Sequence, residues 1–240
     1  MNIFVPTASL ILAAALASSQ ASAQDEYRLD DGVKETGIGI QSGGSNSFAW
    51  LNTFTAEAGA EVITAVNLSF GSGLLGNNIA NNTPVSVYIW GDFNQDGNPN
   101  DAFLMESGTG FIQGSGTNAF TSYALTNSVS FVPGTTFFAG AIVNYTGQHE
   151  VASLDTDGTD DIFNYPAMNH SWIAGGANGS VVDPNFLNFA QLPLDSVSNA
   201  LYQGNDDATW MIRLNGTSIP SPGTITLLGF AGLCTNKRRR

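Results

Sequence analysis

Pro84-Val85-Ser86-Val87-Tyr88-Ile89-Trp90-Gly91 decides the fold. Side chains alternate along an extended chain, so Val85, Val87 and Ile89 fall on one side and Ser86, Tyr88 and Trp90 on the other. Both sides carry apolar groups, which predicts an inner strand covered on both faces. Short β-branched and aromatic runs of the same kind recur at residues 47–55, 61–70, 102–107, 119–125, 129–133, 135–145, 150–154, 171–174 and 208–214. In the last of these, Trp210, Ile212 and Leu214 share one side and Met211 and Arg213 the other, so Trp210 is expected in the core. Gly-, Asn- and Ser-rich stretches at 71–82, 108–118 and 175–180 read as loops, and a weakly patterned segment runs from there to Asp207. No run of about ten residues shows helical periodicity with caps. The expectation is an all-β domain, an antiparallel β-sandwich that is jelly-roll-like.

The chain has 240 residues, of which 42% are hydrophobic. Residues 24–218 are taken as one domain, long enough to bury roughly 70% of its unfolded surface without disulfides or metal. Only 11% of residues are charged, against about 25% in ordinary soluble domains. Four of the seven basic residues, Lys237 to Arg240, sit together in the tail. Arg28, Lys34 and Arg213 are left in the domain to face all 20 acids. That balance repels phosphate backbones, which argues against nucleic acid as a partner, and it attracts divalent cations. The single cysteine, Cys234, provides no disulfide framework and no thiolate metal site.

Residues 1–23 read as a signal peptide. Ser9 to Ala17 is a mostly apolar run, and Ala21-Ser22-Ala23 supplies the small residues of a cleavage site before Gln24. The leader carries no Lys or Arg, so the α-amino group provides its positive start. Residues 219–240 form a tail with three parts: a Pro220-Ser221-Pro222-Gly223 break, an apolar stretch from Ile225 to Cys234, and the basic cluster. As a helix the apolar stretch would be about 15 Å long against roughly 30 Å of hydrocarbon, which suits transient membrane contact rather than anchoring. The basic cluster would stay cytoplasmic.

That order of break, short apolar helix and basic stop resembles the PEP-CTERM sorting signal of bacterial surface proteins. The resemblance implies recognition by an exosortase-type transpeptidase, with Pro220, Ser221, Pro222 and Gly223 at the sorting break. Ser221 stands where the family has glutamate. The segment from Val85 to Ala102, together with Trp210-Met211-Ile212-Arg213, is similar to jelly-roll-like domains of secreted proteins from planctomycete-type bacteria. Neither likeness carries an activity with it.

Asp92-Phe93-Asn94-Gln95-Asp96-Gly97-Asn98-Pro99-Asn100-Asp101 is the strongest candidate site. Asp92, Asn94 and Asp96 place oxygens at alternating positions and Gly97 reverses the chain, so these groups can converge on calcium, with Asn100 or Asp101 closing the shell. Phe103 stands where an EF-hand has its twelfth-position glutamate, and no flanking helices are evident. The Asp-Gly and Asn-Pro pairs would also make a polar turn without any metal. Asp155-Thr-Asp-Gly-Thr-Asp-Asp161 is a second acidic loop of less regular spacing, read as a solvated turn with a metal site as its alternative.

For general-base chemistry only His149 and His170 are available, and no nucleophile-elbow motif marks a serine. No enzymatic activity is expected. Trp172, in a loop-rich region beside His170, is the residue best placed to stack on a sugar. The leading expectation is a non-enzymatic exported surface or extracellular-matrix protein, with exopolysaccharide as a prospective partner. The alternative is a secreted carbohydrate-binding module. Exported material should begin at Gln24, and N-terminal sequencing that returns Met1 would contradict the leader reading.

Overall fold

A computed structural model of the chain describes residues 25–72, 76–155, 170–187 and 209–219. The expectations for the leader, for the second acidic loop beyond Asp155, for residues 188–207 and for the tail from Pro220 onward lie outside the described residues.

Twelve strands make up the described fold: β1 (Asp25–Tyr27), β2 (Thr36–Ile38), β3 (Ser45–Thr55), β4 (Val62–Leu68), β5 (Pro84–Gly91), β6 (Phe103–Phe111), β7 (Thr121–Ser130), β8 (Thr136–Thr146), β9 (Ala152–Asp155), β10 (Ser171–Gly176), β11 (Thr209–Trp210) and β12 (Ile212–Thr217). The only helical element among the described residues is a 3-10 turn at Pro99–Asp101. Every strand pair is antiparallel. The pairs are nested: β2 with β9, β3 with β8, β4 with β7, and β5 with β6.

Folding that nest over itself gives two layers. One is a five-stranded sheet in the order β10-β3-β8-β5-β6. The other contains β1-β12-β4-β7 and β11-β9-β2. These last two groups join where Phe70, just past β4, bridges Ala152 of β9. Met211, between β11 and β12, accepts from Ser69 N–H at 3.3 Å and donates its own N–H to Ser153 O at 3.1 Å.

The layers share one apolar cluster, as in a β-sandwich. Phe48, Trp50 and Phe54 of β3, Val85, Val87 and Ile89 of β5, and Phe137, Ala139, Ala141 and Val143 of β8 enter it from the five-stranded sheet. Ile63, Val66 and Leu68 of β4, Tyr123 and Leu125 of β7, and Trp210, Ile212 and Leu214 meet them from the other side. Each of the larger aliphatic and phenylalanine side chains contributes about 1.5–3 kcal/mol when fully buried. The outer face of the five-stranded sheet is apolar as well, with Ala49, Leu51, Trp90, Phe138 and Ile142 packed against Ala174 and Leu187. Trp90 is completely buried there and donates its indole N–H to Pro184 O at 2.8 Å. Strand β5 is therefore covered on both sides, as its alternation required.

Three expectations change. β1 and β2, each three residues long, were not among the anticipated strands. Residues 119–125 and 129–133 do not form two separate strands, because β7 runs unbroken through exposed Thr126, Asn127 and Ser128. A register shift opposite Ile63 and Ala65 absorbs the extra residues. Gly108 to Phe111 is strand, not loop: it is the second half of β6. Its glycines serve close approach rather than a turn. A Cβ on Gly108 would stand 2.2 Å from the Ala124 carbonyl oxygen, and one on Gly110 would stand 2.7 Å from the Tyr123 ring, both on β7.

Gly108→Ala should thus push β6 away from β7 and cost about 1–3 kcal/mol, as overpacking does. Gly43→Ala, where an added Cβ meets nothing within 4 Å, should change stability by less than about 0.5 kcal/mol. Urea midpoints of the two variants measure the difference; equal midpoints would show that β6 does not depend on that approach.

Candidate functional site: an acidic loop and a buried carboxylate

The end of β5 delivers Asp92 into the fold. Asp92 is 3% exposed, and its two carboxylate oxygens accept from Gln95 N–H at 2.9 Å and Gly97 N–H at 2.8 Å. The chain turns over this carboxylate, with Gln95 at φ +60° and Gly97 at φ +73°. Gly97 adopts that conformation freely, whereas Gln95 is held in it by bonds across to the next strand pair. Its Oε1 accepts from Thr136 N–H, the first residue of β8, at 2.6 Å, and its amide also donates to Asp92 O. Asn98 caps the 3-10 turn, accepting from Asn100 N–H at 3.1 Å, and that turn brings Asp101 back toward Asp92.

Asp92, Asp96 and Asp101 each offer a carboxylate oxygen, and the three oxygens lie within 4.8 Å of one another. Ligands about 2.3–2.6 Å from one calcium ion stand at most about 5.2 Å apart, so this spacing fits a shared ion. Of the anticipated ligands, the three carboxylates are together, with Asp101 closing the group. Asn94 is present but turned. Its Nδ2 donates to Asp96 Oδ2 at 3.0 Å and Asp101 Oδ2 at 2.6 Å, while its Oδ1 accepts from Asp96 N–H at 3.2 Å. In that orientation it bridges the two exposed carboxylates as a donor. Half a turn of the amide would present oxygen instead.

A second carboxylate, the first of the second acidic loop, matters for a reason its sequence did not show. Asp155, at the end of β9, is fully buried, which corrects its reading as part of a solvated turn. Strands β2 and β11 flank β9 on both sides. Asp155 Oδ2 accepts from Asp31 N–H at 2.9 Å, and Oδ1 has no partner among the described residues. Burial pushes its pKa up to about 7, with Asp31, Glu35 and Asp30 pushing the same way and the bond from Asp31 N–H pulling it down. No sequence pattern announced this, because Asp155 follows the strand's last apolar residue as a loop residue would.

Two of the domain's three basic residues are already engaged. Arg213 binds Asp30 Oδ1 through Nη2 at 2.6 Å and Glu26 through Nη1 at 3.3 Å, and lies 4.2 Å from the centre of the Phe120 ring. Lys34 donates to Thr117 O at 2.8 Å and Phe70 O at 3.3 Å, and burial lowers its pKa against the opposing pull of Glu150. Trp172, the residue considered for sugar stacking, is half-buried, donates to Thr53 Oγ1 at 2.9 Å and packs on the outer apolar cluster. The exposed aromatic pair is Phe93 and Phe103, beside the acidic loop, with rings 5.5 Å apart and tilted by 43°.

Asp155 fixes the direction of a pH dependence. Its carboxyl ionises near 3.8 in the unfolded chain and near 7 in the folded one. Between those values folding takes up a proton, so stability falls as pH rises from about 4 to 7, and above that the whole cost of the buried charge remains. In the presence of chelator, Asp155→Asn should flatten that decline and raise the melting temperature at pH 8 by on the order of 5 °C. Parallel pH–melting curves for the two proteins would contradict the assignment. No family model matches the sequence and no curated protein matches it either, so the functional argument rests on these residues.

Proposed function

We propose that the chain is a non-enzymatic, exported surface or extracellular-matrix protein whose jelly-roll-like domain takes calcium in the loop 92–101. The observation that carries this reading is the convergence of the Asp92, Asp96 and Asp101 carboxylates within 4.8 Å in an acidic domain whose few cations are largely engaged elsewhere. The nested pairing of β2–β9, β3–β8, β4–β7 and β5–β6 supports the jelly-roll description, since that fold is a long hairpin rolled into two sheets. In this reading an exosortase-type transpeptidase acts at Pro220 to Gly223, the apolar tail touches the membrane transiently, and exopolysaccharide surrounds the sorted protein.

In the metal-bound loop Asp92, Asp96 and Asp101 are the acidic ligands. Asn94 turns its amide so that Oδ1 joins them, giving up its donor contacts to the carboxylates. The loop is pinned to β8 through Gln95, so ordering it steadies the β5–β8 junction. Carbohydrate binding is the second reading. Its support is thinner, because the indole N–H of Trp172 is committed to Thr53 and the exposed Phe93 and Phe103 rings are not coplanar.

Calcium at a hundredfold excess over its dissociation constant should stabilise the full chain by about 2.7 kcal/mol, a rise of roughly 5–10 °C in melting temperature. Asp96→Asn should remove most of that rise, and Asn94→Ala part of it. Thermal melts in millimolar calcium and in chelator make the comparison. Superimposable curves for the unmutated protein would leave 92–101 as a polar turn. A glycan array that finds strong, Trp172-dependent binding would favour the carbohydrate reading instead.

A further inference from the structure

We propose a second calcium site, separate from the loop 92–101, formed by the carboxylates of Asp155 and Asp31 where the end of β9 meets the segment between β1 and β2. Asp155 is 0% exposed and its Oδ1 has no partner among the described residues, while its Oδ2 is held by Asp31 N–H at 2.9 Å. That hydrogen bond brings the Asp31 backbone to the carboxylate, and the Asp31 charge adds to the negative potential there. The Asp31 side chain accepts from Val33 N–H through Oδ1 at 2.7 Å, and Asp31 is exposed.

Among the described residues no cationic side chain answers the Asp155 charge. Asp30 and Glu35 both add negative potential at Asp155. Arg213 is spent on Asp30 and Glu26, and Lys34 is turned to the carbonyls of Phe70 and Thr117. Once ionised, a buried carboxylate with an idle oxygen and acids around it is costly until a positive charge meets it. The available donors are all oxygens, which selects a hard divalent cation over zinc or copper. Asp155 and Asp31 supply two carboxylates and water completes the shell. Such a shell is weaker than the three-carboxylate loop and suits the roughly 0.1–1 mM calcium affinities of extracellular modules.

The site does not depend on the loop reading, and the experiment separates the two. Calcium binding to the full chain is measured by flow dialysis in the unmutated protein and in an Asp96→Asn/Asp101→Asn background that disables the loop. The background protein should still bind one calcium per chain. Adding Asp155→Asn should abolish that binding or weaken it by at least about tenfold. Adding the exposed substitution Asp31→Asn instead should do the same, and near-UV circular dichroism should show both variants folded. If the loop reading alone fails, the unmutated and background proteins bind the same single calcium and Asp155→Asn removes it. The proposal is overturned if the background protein binds no calcium up to about 10 mM, or if neither Asp155→Asn nor Asp31→Asn weakens its binding.

Discussion

A sheet that is apolar on both faces has to be covered twice, and the rest of this structure follows from that demand. In the five-stranded sheet the inner side chains of β5 are aliphatic, while Trp90 points to the outer face beside Phe138 and Ile142. The second layer covers the inner face. The outer face is covered in part by residues 181–187, fastened through the Trp90–Pro184 hydrogen bond. Asp92 is the residue immediately after β5, and it inherits its burial from this doubly covered strand. A buried carboxylate there must be satisfied locally, and the turn that satisfies it is the acidic loop.

What was legible in the sequence tracks which physical signals are local. The alternation in residues 84–91 and the shared side of Trp210, Ile212 and Leu214 are period-two patterns, and the structure buries those residues accordingly. β1 and β2 are too short to carry a pattern and exist because β12 and β9 present edges to them. Gly108 and Gly110 looked like loop residues because glycine has the same letter whether it turns the chain or admits a neighbour. Only the approach of Ala124 and Tyr123 tells the two apart. In the candidate site, the spacing of Asp92, Asp96 and Asp101 around Gly97 announced a convergence. The orientation of Asn94 was not legible, since its amide offers oxygen and nitrogen equally. Nor was the burial of Asp155, which depends on β2 and β11, far from it in sequence.

The charge distribution links these sites. The domain sets 20 acids against three bases. Here Arg213 and Lys34 are tied to particular partners, each bridging segments distant in sequence. The remaining negative field is therefore answered by solvent cations. Monovalent ions screen such a field diffusely, whereas clustered carboxylates convert it into specific affinity for a divalent one.

Stability supplies the last connection. The described fold is held by contacts between distant segments, and its single cysteine allows no internal disulfide to constrain the unfolded chain. Asp31 and Asp155 are 124 residues apart, and Gln95 reaches 41 residues to Thr136. Closing loops of that length costs conformational entropy that each junction has to offset. A cation bound at such a junction binds the folded chain and not the unfolded one, so it stabilises by mass action what a disulfide would stabilise covalently. The two proposed calcium positions stand at junctions of this kind, one beside the β5–β8 contact and one at the β2–β9 pair. Both pairs lie in the nested framework, so cation binding acts on the fold itself rather than on an appended loop.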